Sequence, residues 1–160
     1  MKTISVLLLS LLLFACSSDD DVATKPTQTV GELSIKGFDD EFILNTYESY
    51  VRTNQDMDEL IIYLRSQSTK NDINLSFRTP ITSGKDVTND LYGINIAGVG
   101  SDINLESGKI IVKTVNQESA TIQFNNVTIK AVKKTQLSPG NIKTDTKTIT
   151  INGTMQFPNR

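Results

Sequence analysis

The sequence predicts an all-β fold: an antiparallel β-sandwich of about 8–9 strands, with a small lipocalin-like β-barrel as the alternative. Three observations predict it. From Glu32 onward, apolar residues recur at every second position rather than at helical spacing. Gly, Asn, Asp and Pro punctuate the chain at short, regular intervals. The one stretch with helical character, residues 56–65, is also rich in β-branched and aromatic residues.

The elements follow in order. Leu33 and Ile35 alternate with Ser34 and Lys36, Gly37 permits a bend, and Phe42-Ile43-Leu44 follows Asp39-Asp40-Glu41. This predicts an opening hairpin around residues 37–40. A strand over 47–52 comes next. In 56–65, Met57, Leu60, Ile61 and Leu64 lie at helical spacing, and Asp56 with Glu59 resembles a capping box. Yet LIIYL is a short β-type run, and DINLSFR (72–78) alternates without error. A pair of strands joined across 66–71 explains both, so strand is favoured. Thr79-Pro80 ends the second, because Pro donates nothing to a ladder.

Residues 81–91 read as a polar loop containing Gly84. YGINIA (92–97) is a further strand with Ile94 and Ile96 inward, and Gly98 and Gly100 flank a turn. Gly108 opens GKIIVKTV, and 116–118 turn into SATIQFNNVTIKAV. There Ile122 and Phe124 share one parity, and Val127, Ile129 and Ala131 the other. The switch predicts a β-bulge at Asn125-Asn126. Residues 133–145 read as a polar loop carrying Pro139-Gly140. The last strand, TITINGTMQF, puts Ile149, Ile151, Met155 and Phe157 on one face. Gly153 sits among them, where a neighbouring backbone or ring comes close. No internal repeat of roughly 20–50 residues is visible.

The first residues give an address. Lys2 supplies a positive n-region, and residues 4–14 form an apolar run broken only by Ser5 and Ser10. As a helix the run would reach ~16 Å against the ~30 Å of a bilayer core, which fits a signal-peptide h-region. It ends Leu13-Phe14-Ala15-Cys16, which resembles a bacterial lipobox. The resemblance implies that Cys16 is acylated and begins the mature chain. A free or buried Cys is the alternative. Cys16 is the only cysteine, so no internal disulfide competes for it. Several acyl chains on one Cys anchor firmly, at roughly 0.8 kcal/mol per buried CH₂. Ser17, Ser18, Asp19, Asp20 and Asp21 resemble the surface-export signal of Bacteroidota lipoproteins, with a solvated acidic linker as the alternative. The implied organisation is a signal peptide over 1–15, lipidated Cys16 with a flexible tether over 16–30, and a β-sandwich over 31–160. The expected location is the outer membrane, facing the cell surface.

Composition excludes several chemistries. There is no His, and the only Cys lies in the lipobox, which removes Ser-His-Asp and Cys-His catalysis and every His or Cys metal site. There is no Trp to stack on sugars. The 16 basic and 18 acidic residues are spread along the chain, so nothing argues for nucleic acid. No cofactor is implied.

With the strands placed, the order SIKGFDDEFIL, DINLSF, YGINIAG, SGKIIVKTV, ATIQFNNVTIKA and ITINGTMQF resembles small uncharacterised Bacteroidota lipoprotein domains over residues 32–158. That resemblance implies a β-sandwich and carries no activity or catalytic residues.

Four groups remain as candidate sites. Asp39-Asp40-Glu41 and Asp56-x-Asp58-Glu59 could bind Ca²⁺ in principle, but neither matches an EF-hand loop, and solvated turns explain them more simply. No carboxylate pair is singled out for glycoside hydrolysis. Tyr47, Tyr50, Tyr63 and Tyr92 could form a sugar-stacking face. The alternative is packing, half in the core and half at edges. Asn126-Val127-Thr128 and Asn152-Gly153-Thr154 match the glycosylation sequon, where Asn and Thr also simply alternate in strands. The expected function is therefore a non-enzymatic sandwich, membrane-tethered through lipid, that binds a glycan or protein ligand through 81–91 and 133–145. A structural envelope component is the alternative, and a small hydrolase the third.

Overall fold

The computed structural model describes residues 28–68, 71–97, 99 and 102–160. Nine strands are present among them: β1 Val30–Lys36, β2 Tyr50–Asn54, β3 Glu59–Leu64, β4 Ile73–Arg78, β5 Lys85–Asp86, β6 Leu91–Ile96, β7 Asp102–Val115, β8 Ser119–Ser138 and β9 Asn141–Pro158. They form two antiparallel sheets, ordered β1-β9-β8-β7-β5 and β2-β3-β4-β6. The sheets do not close into a barrel, so the sandwich expectation holds and the barrel alternative does not.

Alternation builds the core. Leu60, Ile62 and Leu64 of β3 and Ile73, Leu75 and Phe77 of β4 are fully buried from one sheet. Ile122, Phe124, Val127 and Ile129 of β8, with Ile149, Ile151 and Phe157 of β9, are fully buried from the other. At roughly 1.5–3 kcal/mol per buried side chain, this apolar layer is the dominant favourable contribution to the fold.

The parity switch on β8 is a bulge, as expected: the β8–β9 register shifts between Phe124 and Val127, and Asn126 has φ +48°. Asn152 Oδ1 accepts the Asn126 N–H at 3.1 Å, so the two sequon asparagines meet across the ladder. Gly153 has φ +132°, and a Cβ there would run into the Glu32 carbonyl of β1. The close backbone approach expected at that position is present.

Residues 56–65 divide into a turn and a strand. Asn54 Oδ1 accepts the N–H groups of Asp56 (3.1 Å) and Met57 (3.3 Å), and β3 then pairs with both β2 and β4. Asx-turn chemistry and the needs of the sheet override the helical spacing.

Five expectations are corrected. The opening hairpin around 37–40 does not form. Among the described residues β1 pairs only with β9, which buries Ile35 opposite Ile151, and Leu44 instead bridges Ser66. The strand expected over 47–52 begins at Tyr50, because Asn45 Oδ1 accepts the Tyr47 and Glu48 N–H groups and holds a turn. The loop 81–91 contains β5 and a 3₁₀ turn at Thr88–Asp90. The loop 133–145 is instead strand: β8 and β9 stay paired from Lys133↔Asp145 out to Ser138↔Asn141. Gly140, at φ +82° behind Pro139, turns the tip. Every residue from 133 to 146 is exposed, so the hairpin projects as an arm of about 20 Å. β7 also begins earlier than expected, at Asp102 rather than Gly108. The turn expected at Gly98 and Gly100 lies outside the described residues.

The two long sides of the sandwich differ. On one, β9 runs on into a parallel bridge from Asn159 to Val51 of β2, and Arg160 N–H donates to Val51 O at 2.9 Å. On the other, β6 and the first half of β7 face each other across an open cleft of about 540 Å³.

Candidate ligand-binding face

Strand alternation determines what the outer surface of the β2-β3-β4-β6 sheet carries. Val51, Leu64 and Phe77 point inward and are fully buried. Their immediate successors, Arg52, Arg65 and Arg78, therefore point outward. The chain holds four arginines, and the fourth, Arg160, reaches the same face through its position beside β2. Tyr50 and Tyr63 are cross-strand partners on this surface, and Tyr92 lies at its β6 edge.

These residues are organised in contact. The Tyr50 and Tyr63 rings stack with centroids 4.4 Å apart and planes 22° from parallel. Arg160 lies over the Tyr50 ring at 5.1 Å and Arg65 over Tyr63 at 5.5 Å. Arg160, Tyr50, Tyr63 and Arg65 thus form one contiguous cluster. Arg78 lies over Tyr92 at 5.1 Å, and the Tyr92 hydroxyl donates to Glu59 Oε1 at 2.5 Å. Such cation–π contacts fix guanidinium planes while leaving their N–H edges free.

Charge on the face is only partly balanced. Arg65 Nη1 meets Asp72 Oδ2 at 2.5 Å. Burial works against the Arg65 charge, but Asp72 outweighs it and, with Tyr50, holds the guanidinium pKa above its ordinary value. Arg52, Arg78 and Arg160 make no ion pair among the described residues. The Glu59 hydrogen bond, with lesser burial and charge effects, raises the Tyr92 phenol above its usual range.

Between these groups the surface is polar. Ile61 is only 8 % exposed despite its outward parity, sheltered among Arg52, Tyr63 and Ser76. Asn74 Oδ1 is buried and accepts no hydrogen bond among the described residues. Beyond the end of the face, a groove of about 930 Å³ opens between the β2–β3 and β7–β8 turns, lined by Arg52, Asn54, Met57, Gln117, Asn159 and Arg160.

The expected site residues fall in three places. Cys16, Ser17, Ser18, Asp19, Asp20 and Asp21 lie outside the described residues. Of the four tyrosines, none is in the core: Tyr50 and Tyr63 are half-buried, while Tyr92 and Tyr47 are 53 % and 65 % exposed. The structure gathers Tyr50, Tyr63 and Tyr92 on one face, and Tyr47 stays in the preceding turn, where its carbonyl accepts from Arg160 at 2.6 Å. The acidic clusters do not converge. Asp39 pairs with Lys147, Glu59 serves Tyr92, and no metal-holding group of three is found among the described residues.

The arginines were not among the residues singled out from sequence. A signal existed: three of them directly follow an inward-facing apolar residue of a strand. Compared with known proteins, the chain matches no family model, no curated protein and no solved structure.

Proposed function

We propose that this chain is a lipid-anchored protein of the outer membrane surface whose β-sandwich binds a ligand and does not transform it. The lipobox-like Leu13–Cys16 segment and the Ser/Asp run after it support the address. One observation carries the binding reading: all four arginines and three of the four tyrosines share the outer face of a single sheet. Arg and Tyr are enriched at recognition surfaces: Tyr offers large area at low conformational cost, and Arg offers a planar fork of N–H donors. This reading moves the ligand surface from 81–91 and 133–145 to the sheet face. The absence of His, and of any Cys beyond Cys16, supports binding over catalysis.

The test uses the purified lipoprotein in detergent micelles on a glycan array and on intact cells. An Arg52→Glu/Arg78→Glu variant is compared with Lys36→Glu/Lys130→Glu on the opposite sheet. Binding lost only in the arginine variant supports the face. Equal binding by both variants and the parent overturns it. Protease added to intact cells tests the address: a domain left uncut while known surface proteins are cut rules out the outward orientation.

A further inference from the structure

We propose that the arginine face takes an acidic glycan, a polymer of sugars bearing carboxylate or sulfate groups. The inference rests on the reading of this face as the ligand surface and adds the chemical class of the ligand.

The distribution of positive charge is the first argument. The lysines at 85, 109, 130, 134, 143 and 147 each face a carboxylate within 4 Å. Among the described residues only Arg65 of the four arginines makes an ion pair, and the lysines without one, Lys36, Lys113 and Lys133, lie on the other sheet. The uncompensated cations of this face are therefore guanidinium groups, whose planar fork matches an oxyanion's paired oxygens. The acids on this side are Glu59 and Asp72, both engaged, and Asp56 at the turn end of the groove.

The tyrosine cluster is the second. A neutral sugar stacks its apolar face on a bare aromatic ring. Here Tyr50 and Tyr63 stack on each other, with Arg160 over Tyr50 and Arg65 over Tyr63. Each ring already contacts an aromatic partner and a guanidinium, which leaves less bare ring for a sugar. The tyrosines serve instead to hold the guanidinium groups in place on the face.

The third concerns what lies between the cations. Arg52 and Arg78 sit two strands apart and one residue pair out of step, so their Cα atoms are about 12 Å apart. That span is of the order of a disaccharide. At the level of Arg52 the sheet presents Ile61 and Ser76, and the Ser76 hydroxyl offers a ligand a polar contact. Gly93 lies opposite Ser76 on the same face. A Cβ there would touch only the Ser76 side chain, at 3.4 Å and 3.7 Å, so no packing demands glycine. Glycine within a strand leaves a depression into which a ligand can settle. A protein partner would call for an exposed apolar centre, and Ile61 is sheltered.

Affinity electrophoresis of the full lipoprotein through gels containing polygalacturonate, chondroitin sulfate or neutral dextran tests the class. The expected result is retardation by one or both charged polymers and none by dextran, weakening as salt rises. Retardation by polygalacturonate alone assigns carboxylate, and by chondroitin sulfate alone sulfate. Arg52→Gln/Arg78→Gln should weaken binding about tenfold or more, the scale of one lost charge-assisted contact. Lys36→Gln/Lys130→Gln should leave it unchanged. Gly93→Thr, which suits a strand and alters no charge, should also weaken it. Retained melting temperatures establish that the variants fold. Equal loss in the lysine variant reveals diffuse attraction and overturns the proposal, as does no retardation in any gel. Retardation by dextran that Arg52→Gln/Arg78→Gln abolishes overturns the acidic class and leaves the face standing.

Discussion

Asn159 reaches from the end of β9 to Thr53 of β2 with both ends of its carboxamide. Oδ1 accepts the Thr53 N–H at 3.1 Å and Nδ2 donates to Thr53 Oγ1 at 2.7 Å. Nδ2 also donates to the Asn116 carbonyl at 3.3 Å, and the Asn159 N–H to Glu118 O at 2.8 Å. One residue, itself only 7 % exposed, thereby ties the β7–β8 turn of one sheet to the edge of the other.

Asn159→Ala removes these side-chain bonds and leaves the Thr53 N–H partly buried without its acceptor. The expected cost is about 2 kcal/mol, from roughly 1 kcal/mol per hydrogen bond and the orphaned donor. Thr53→Val, which deletes only the hydroxyl acceptor, should cost about half as much. Urea unfolding midpoints measure both. An Asn159→Ala midpoint indistinguishable from the parent would show that the seam adds nothing.

Glycine replacements should separate strain from open space. Gly153→Ala meets both φ +132° and the Glu32 carbonyl, so β1 must shift from β9. Gly84 has φ +82°, but nothing lies within 4 Å of its Cβ direction. Gly84→Ala should cost about 1 kcal/mol from backbone strain alone, and Gly153→Ala about 2–4 kcal/mol. Thermal melts of the two variants side by side give the comparison, and equal losses would remove the role assigned to the β1 contact.

Asp86 makes stability depend on acid. The Thr88 hydroxyl, at 2.5 Å, is the main cause holding its carboxyl below the usual carboxylate range, with the Thr88 N–H and Lys109 adding to it. Thr88 Oγ1 in turn accepts the Ile110 N–H at 2.8 Å, linking the 3₁₀ turn to β7. A lowered folded pKa favours the ionised form on folding. The contribution is therefore complete above the unfolded value of about 3.9 and is lost as pH falls through the lower folded value. Asp86→Asn should be less stable than the parent at neutral pH, with the difference closing below about pH 4. A constant difference across that window, followed by denaturant titration at each pH, would exclude this origin.

The legible part of the fold was whatever depends on neighbours in sequence. Parity announced the burial of Ile122, Phe124, Val127 and Ile129, and its switch announced the bulge at Asn125-Asn126. The β1–β9 pairing was not legible, because nothing near Leu33 and Ile35 names a partner more than a hundred residues away. The outer arm was missed for a different reason. Residues 133–146 are exposed on both faces, so they carry no alternation of apolar and polar groups, and a two-sided polar ladder reads like a loop. For the candidate face, Tyr50, Tyr63 and Tyr92 were visible individually. Their assembly with the arginines required the strand order.

The placement of β9 also governs when this domain can fold. It is last in sequence, yet it lies between β1 and β8 and continues along β2. The strands of the smaller sheet are near neighbours in sequence and can pair early, but their apolar side has no cover until β8 and β9 exist. A chain emerging from one end therefore has no stable stopping point short of β9. β9 must therefore be present before the sandwich closes, so the apolar layer of the smaller sheet stays uncovered until that strand arrives.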